Sequence, residues 1–409
     1  MKKGLTIFFV IYAIILGMFA FTIIPNNDSY YYWGWSKNLQ LSYFDGPPMI
    51  AYAIKLSTNI FGNSVFALNF VGVVVTLITT IIISEIVKTL LSFSESKSLK
   101  NGLITGLLWL TYPYVANRYM IVDVTYDCLV NLFDLTMLLM ALKYIKSRNI
   151  TYIYLIGVFA GLGLLSKYSS IIMSITLLGY FIYNQELRLM FRKPHVYIAI
   201  LICFIIFMPV LIWNYQHQFA SFIFQLKYHI WSNQVKVSSA NNRSLYGKIW
   251  YYIGSGILGP MIIYCIIAVF LRIKHSYTNI NTFKIGNLNC KDEILNSVKV
   301  KNSNYKIARN LILVEMCIIF AFWLLISPFA MVDLIYLLTF NSLIIIFVGY
   351  YLQKYNHIKI AFFIICIGVI VSLMQMIHYS MVPQCPDCYA KHIVSKELLF
   401  YSPFTIKYP

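Results

Sequence analysis

NNDSYYYWGWSKNLQLSYFDGPPMIAYAIK, residues 26–55, decides how the rest of the chain is read. It follows the first long apolar segment directly. An acid, Asp28, precedes five aromatic residues in six positions, Tyr30, Tyr31, Tyr32, Trp33 and Trp35. A second acid, Asp45, precedes Gly46-Pro47-Pro48. The first part reads as a short helix opened by Asn27 or Asp28 as N-cap. Gly46-Pro47-Pro48 breaks it, and Pro48 is suited to open a second helix from about Met49. Tyr and Trp at this density beside an apolar span suit a segment lying in the headgroup layer. An acid held at that boundary is placed to act on a substrate whose tail stays in lipid. The plainer alternative is that Asp28 is a helix cap and the aromatics are interfacial anchors.

Composition sets the class. The chain has 409 residues, 60% hydrophobic and 11% charged, with mean hydropathy +0.72. Soluble domains are about half apolar and about a quarter charged, so this is an integral membrane protein. The formal net charge of +18 needs no nucleic-acid partner, because cytoplasmic loops facing anionic lipid carry such an excess.

Residues 1–4 carry Lys2 and Lys3, and an apolar run follows to Ile24. It is long enough to span, and no small-residue cleavage site follows, so an uncleaved first span is expected. Further spans are expected at 65–91, 102–117, 129–145, 151–165, 169–184, 196–213, 250–271, 311–327, 331–352 and 359–378, about eleven in all. The expected fold is all-α, one transmembrane unit over 1–378 with amphipathic juxtamembrane helices in an external loop at 26–64. A second external loop covers 214–249, a flexible basic connector covers 272–309 in the cytoplasm, and a short external tail covers 379–409. With the N-terminus inside, 21 of the 32 Lys and Arg residues fall on the cytoplasmic side by count. That is the bias the positive-inside rule expects. Every segment suspected of chemistry then lies outside.

The order D-x-x-Y-Y-W-x-W followed by Y-F-D-G-P-P-x-I-A-Y resembles the first external loop of the protein O-mannosyltransferase-like superfamily, membrane glycosyltransferases of the GT-C type. That group includes the enzymes that add aminoarabinose and other sugars to lipid A. Its bacterial members commonly read D-E-A-Y-Y-W-x-W and Y-F-D-H-P-P-L-I-A-Y. The resemblance implies sugar transfer from a polyprenyl-phosphate donor at the outer face of the bacterial cytoplasmic (inner) membrane. The acceptor it implies is lipid A or another envelope glycan, with a protein as the alternative.

The resemblance also implies roles. The first acid of the motif is the catalytic base, here Asp28. Where relatives often carry a second acid this chain has Ser29, so no cofactor is required by the motif and a divalent metal stays open. Asp45, with Tyr31 in the preceding helix, borders the donor phosphate; as a plain reading Asp45 is a turn former. Gly46 stands where relatives often have His or Lys, so another cation must face the phosphate. Lys167, in G-L-G-L-L-S-K-Y-S at 161–169, is the first candidate and Arg118 the second; the plain reading of Lys167 is a snorkelling anchor. Asp127, in Thr125-Tyr126-Asp127, matches the family's acid in a T-P-D-type motif or is the N-cap of the next span. Residues 209–225 match the family's P-V-x-x-W-N string, which implies acceptor or sugar contacts for Trp213, Asn214, His217 and Gln225. Cys385 and Cys388, a CxxC in an external tail, are a disulfide candidate, with a metal site involving His392 as the alternative. The main rival function is a transporter or flippase of a lipid-linked substrate. Asp134, Asp333, Glu85 and Glu315 are the acids in or near spans that such a reading would use. A weaker rival is a ligase using a diphosphate-linked oligosaccharide.

Overall fold

A computed structural model describes residues 2–23, 25, 27–93, 102–112, 124–226, 292–326 and 338–381. The helices it describes are α1 (Lys2–Thr22), α2 (Asn27–Lys37), α3 (Met49–Phe61), α4 (Val65–Phe93), α5 (Leu103–Leu110), α6 (Tyr126–Ser147), α7 (Thr151–Ser166), α8 (Ser170–Tyr183), α9 (Gln185–Arg188), α10 (His195–Gln216), α11 (Ala220–Phe224), α12 (Asp292–Ile326), α13 (Leu338–Lys354) and α14 (Ile358–Met381). A 3-10 turn, Leu189–Arg192, follows α9. Among the described residues, four helices are long and apolar enough to cross a membrane: Lys3–Thr22, Val65–Phe93, Tyr126–Ser147 and His195–Gln216. Thr151–Ser166, Ser170–Tyr183 and Ile358–Met374 are shorter apolar helices. The expected span at 250–271 lies outside the described residues, as do Arg118, Asp333, Cys385, Cys388 and His392.

The expected short helix, break and second helix are all present at the external-loop stretch. Pro48 occupies the N-cap of α3, where its missing N–H costs nothing. One expectation changes. The connector at 272–309 is not uniformly flexible, because from Asp292 the chain is helical for 35 residues through Ile326. Lys, Glu and Leu in 292–301 favour helix, and the apolar run that follows extends it.

The helix α6 is the hub, with nearly all of its apolar stretch buried, whereas α1 and α10 expose most of theirs. Ile7, Ile11, Ile14 and Met18 on α1, and Leu201 and Ile205 on α10, are exposed, as lipid-facing positions should be. In lipid the apolar face gains little from helix association, so close packing and interhelical hydrogen bonds hold the bundle. Tyr12 and Ser372 join α1 to α14 at 2.7 Å. The Trp109 indole donates to Ser342 at 2.9 Å, and Gln353 donates to Thr105 at 2.8 Å. Asn69 on α4 donates to the carbonyls of Ala20 and Ile23 at 3.0 and 2.7 Å. These are orphan acceptors at the end of α1, so the bonds tie α4 to the end of that helix.

One close approach is between α7 and α10. A Cβ added at Gly157 would lie 2.2 Å from the carbonyl oxygen of Ala199. Gly157→Ala is therefore expected to destabilise the protein by about 1–3 kcal/mol, because packed backbone cannot retreat. Gly179, with open space around it, is the control. Melting of the two alanine variants in detergent checks this: only the Gly157 variant should fall.

Candidate active site

The first part of the site is a platform of aromatic rings. Trp35 stacks on Tyr43 with ring centres 4.1 Å apart. Tyr43 donates to the carbonyl of Trp35 at 3.0 Å, and it pairs with Gly46 across the turn that contains Asp45. Tyr31 and Tyr32 each lie 5.2 Å from the Trp35 ring. The spacing of 31, 32 and 35 puts these rings on one side of α2. Asp28 precedes them by three, four and seven residues, so it begins that same side, at the exposed first turn of the helix. Asp28 sits in the first helical turn rather than at the cap, where the helix dipole favours its ionised form.

Asp45 lies among phenols. Burial pushes the Tyr31 phenol well above its ordinary range, and Asp45 adds to this through its charge and a hydrogen bond. Tyr32 is raised likewise by burial, then by Tyr126 and the charges of Asp45 and Asp28. Tyr168 is raised by burial, with Asp45 a smaller contributor. These phenols stay protonated at any working pH, so they are fixed hydrogen-bond donors.

The second part is a cation. Lys167 pairs with Asp127 at 2.6 Å, with side chains 16% and 9% exposed. Its ammonium also lies 4.7 Å from the centre of the Tyr126 ring, and Tyr126 lies 5.2 Å from Tyr32. The structure thus brings Lys167, Asp127, Tyr31 and Asp45 into one cluster through two tyrosines, with Asp28 on the edge. Asp127 is not the N-cap of α6. Thr125 holds that position and Asp127 is in the first turn. Lys167 ends α7 in an extended conformation, so the chain turns and aims its side chain across to α6. Tyr126 and Tyr168 join this cluster, and in the sequence the signal for them is that each adjoins a candidate, Asp127 or Lys167.

The third part is the segment leaving α10. Trp213 donates to the side chain of Gln40 at 3.1 Å. Asn214 is fully buried. Its amide donates to the carbonyl of Val210 at 3.0 Å and accepts from the Phe222 N–H at 3.3 Å. Gln225 donates to the backbone carbonyl of Asp45. Ser221 and Tyr168 share a hydrogen bond of 2.7 Å. These contacts clamp the acid-bearing loop onto α10 and α11. Asn214 is therefore corrected from a sugar contact to a residue that holds this turn, because its buried amide is used inside the protein. Gln218 and Phe219 follow with φ of 55° and 59°, a region costly for a bulky side chain. Asn214→Ala is expected to cost about 1–3 kcal/mol by leaving buried groups unpaired; a lower melting temperature with intact membrane insertion is the check. His217 remains exposed. It stacks on Trp213 at 4.0 Å, and its Nδ1 lies 2.8 Å from the Trp213 carbonyl. A carbonyl only accepts, so Nδ1 carries the hydrogen in this contact.

No group of three or more His, Cys, Asp or Glu suited to a metal is present among the described residues.

The described residues form a helical bundle with an acid-bearing aromatic loop clamped on one end. Residues 45–213 match the model of the family described as dolichyl-phosphate-mannose-protein mannosyltransferase. That match takes in Asp45, Asp127, Lys167 and Trp213, while Asp28 precedes it. Lipid A galacturonosyltransferase RgtD of Rhizobium johnstonii is 27% identical over 195 residues, 46% of this chain and 38% of that protein. The chain thus spans about two-fifths of the length of this curated relative. ArnT from Cupriavidus metallidurans, in a crystal structure bound to undecaprenyl phosphate, superposes with a TM-score of 0.60 at 12% identity, over 98% of this chain and 73% of ArnT. ArnT in the apo state gives 0.56 at 12% identity, over 97% and 63%. In fold the chain is similar to ArnT.

Proposed function

We propose that this protein transfers one sugar from a polyprenyl-phosphate donor to an envelope acceptor, lipid A or lipopolysaccharide in preference to protein. The reaction is placed at the outer face of a bacterial cytoplasmic membrane, with the N-terminus inside. It is a single inverting displacement. The acceptor hydroxyl attacks the anomeric carbon and its proton passes to the Asp28 carboxylate. The bond from that carbon to the phosphate oxygen breaks, and the phosphate leaves with the electron pair. Lys167 meets the charge developing on the phosphate, with Tyr31 as a neutral donor and Asp45 orienting it.

The observation that carries this reading is the placement of Lys167. A partly buried ammonium is held against Asp127 within the tyrosine cluster. An ammonium is a compact charge with three N–H donors, a group suited to meeting a phosphate oxygen. The likeness to RgtD and to ArnT with its bound undecaprenyl phosphate supports the donor and acceptor classes. Donor labelled in the sugar, mixed with purified protein and acceptor in detergent, tests it. Transfer without any sealed compartment is expected; a transporter gives none.

A further inference from the structure

Beneath this site lies a second set of polar groups that the proposed reaction does not use. On α6, Asp127, Asn131 and Asp134 follow at i, i+4 and i+7, one helix face, which places Asp134 about 10 Å further along than Asp127. Asp134 is 4% exposed and accepts from the Ser170 hydroxyl of α8 at 2.5 Å. On α12, which packs against α6, Glu315 is fully buried, and Asp134 is the charged group that acts on it. Neither carboxyl oxygen of Glu315 has a hydrogen-bond partner among the described residues. Asn131 is fully buried too, with both amide atoms unpartnered among them. Gly163 of α7 closes on the same spot, since a Cβ there would approach Ser170 and Asp134.

Two carboxylates cannot both stay ionised here without compensation, because burying an unpaired charge costs several kcal/mol. Among the described residues no basic side chain pairs with either. The helices α7 and α8 bring no charged residue. On α4, Lys88 pairs with Glu85 at 2.7 Å. On α6, Lys143 and Lys146 lie nine or more residues beyond Asp134, and Asp127 is engaged by Lys167. On α12, Lys306 and Arg309 precede Glu315 by six or more residues, and Arg309 donates to Asn310. On α13, Lys354 lies over the Tyr305 ring at 4.6 Å.

We propose that Glu315 and Asp134 form a proton-binding site inside the bundle, with Asn131 as its polar wall, and that the pair carries a proton at neutral pH. The proton replaces a counter-cation. A neutral carboxylic acid removes the buried charge that would otherwise need such a partner. The site does not depend on the reaction proposed above.

Infrared spectroscopy of the purified full-length protein at neutral pH tests this. The wild type is expected to show a carboxylic-acid carbonyl band above the amide region that shifts in D2O. Glu315→Gln is expected to lose that band and keep its melting temperature, since Gln replaces a neutral acid with a neutral amide. Asp134→Asn, alone and combined with Glu315→Gln, gives a second route to the assignment should one variant fold poorly. A wild type with no such band overturns the proposal. So does a band that persists unchanged in the double variant. Carboxylate bands that respond to exchange of sodium for potassium would also overturn it, by showing that a cation neutralises the pair.

Discussion

Asp28→Asn is expected to lower sugar transfer by about 10²- to 10⁴-fold, the range for loss of a positioned general base, with no loss of protein from the membrane. Asp28 is exposed in the first turn of α2, so its carboxylate is not part of the packing. Asn keeps the size and the first-turn position, and surface changes of this sort move stability by about 0.5 kcal/mol or less. The neighbouring rings Tyr32 and Trp35 are buried, so the helix that presents residue 28 stays in place. Transfer assayed with purified donor, alongside the melting temperature, separates chemistry from folding. Normal melting with near-normal transfer would remove Asp28 from the role of base.

Lys167→Met is the second large effect, and it has two components. The chemical component is loss of the cation facing the leaving phosphate, about 10²- to 10³-fold in rate by analogy with the loss of one preorganised donor. The structural component arises because Asp127 is left as a nearly buried charge without its ion-pair partner. Breaking such a pair from one side costs about 3–5 kcal/mol. The double variant Lys167→Met/Asp127→Asn separates them. It removes the stranded charge, so stability should return toward wild type while transfer stays low. Recovery of transfer in the double variant would make Lys167 a structural anchor only.

The fold was legible wherever hydropathy and turn chemistry agreed. Gly46-Pro47-Pro48 stops one helix and starts the next at Met49 because of the backbone limits of Gly and Pro, which act locally. The long apolar runs of α1, α4, α6 and α10 were legible for the same local reason. The first half of α12 was not. Its Asn and Lys content reads as a connector, and only its continuity with the apolar run beyond Arg309 makes it helix. At the candidate site, the acids and Lys167 stood out because charged residues at span ends are few. Their partners did not. The pairing of Lys167 with Asp127 joins residues 40 apart, and Gln225 reaches the Asp45 carbonyl across 180. Spacing along the chain carries no record of such contacts. Asn214 illustrates the limit: a Trp-Asn pair leaving a span reads as sugar-binding, and only its burial and hydrogen bonds reveal a structural part. The pair Glu315 and Asp134 is similar, since each looks like an isolated acid until α6 and α12 are placed side by side.

The measurement that tests the central claim most directly is mass spectrometry of lipid A and core glycolipid from cells lacking this protein, complemented with wild type or with Asp28→Asn. The account predicts that one sugar mass is lost from a glycolipid in the deletion, returns with wild type, and stays missing with Asp28→Asn. Unchanged glycolipids and glycoproteins in the deletion would contradict sugar transfer and bring a transporter of lipid-linked substrate forward instead.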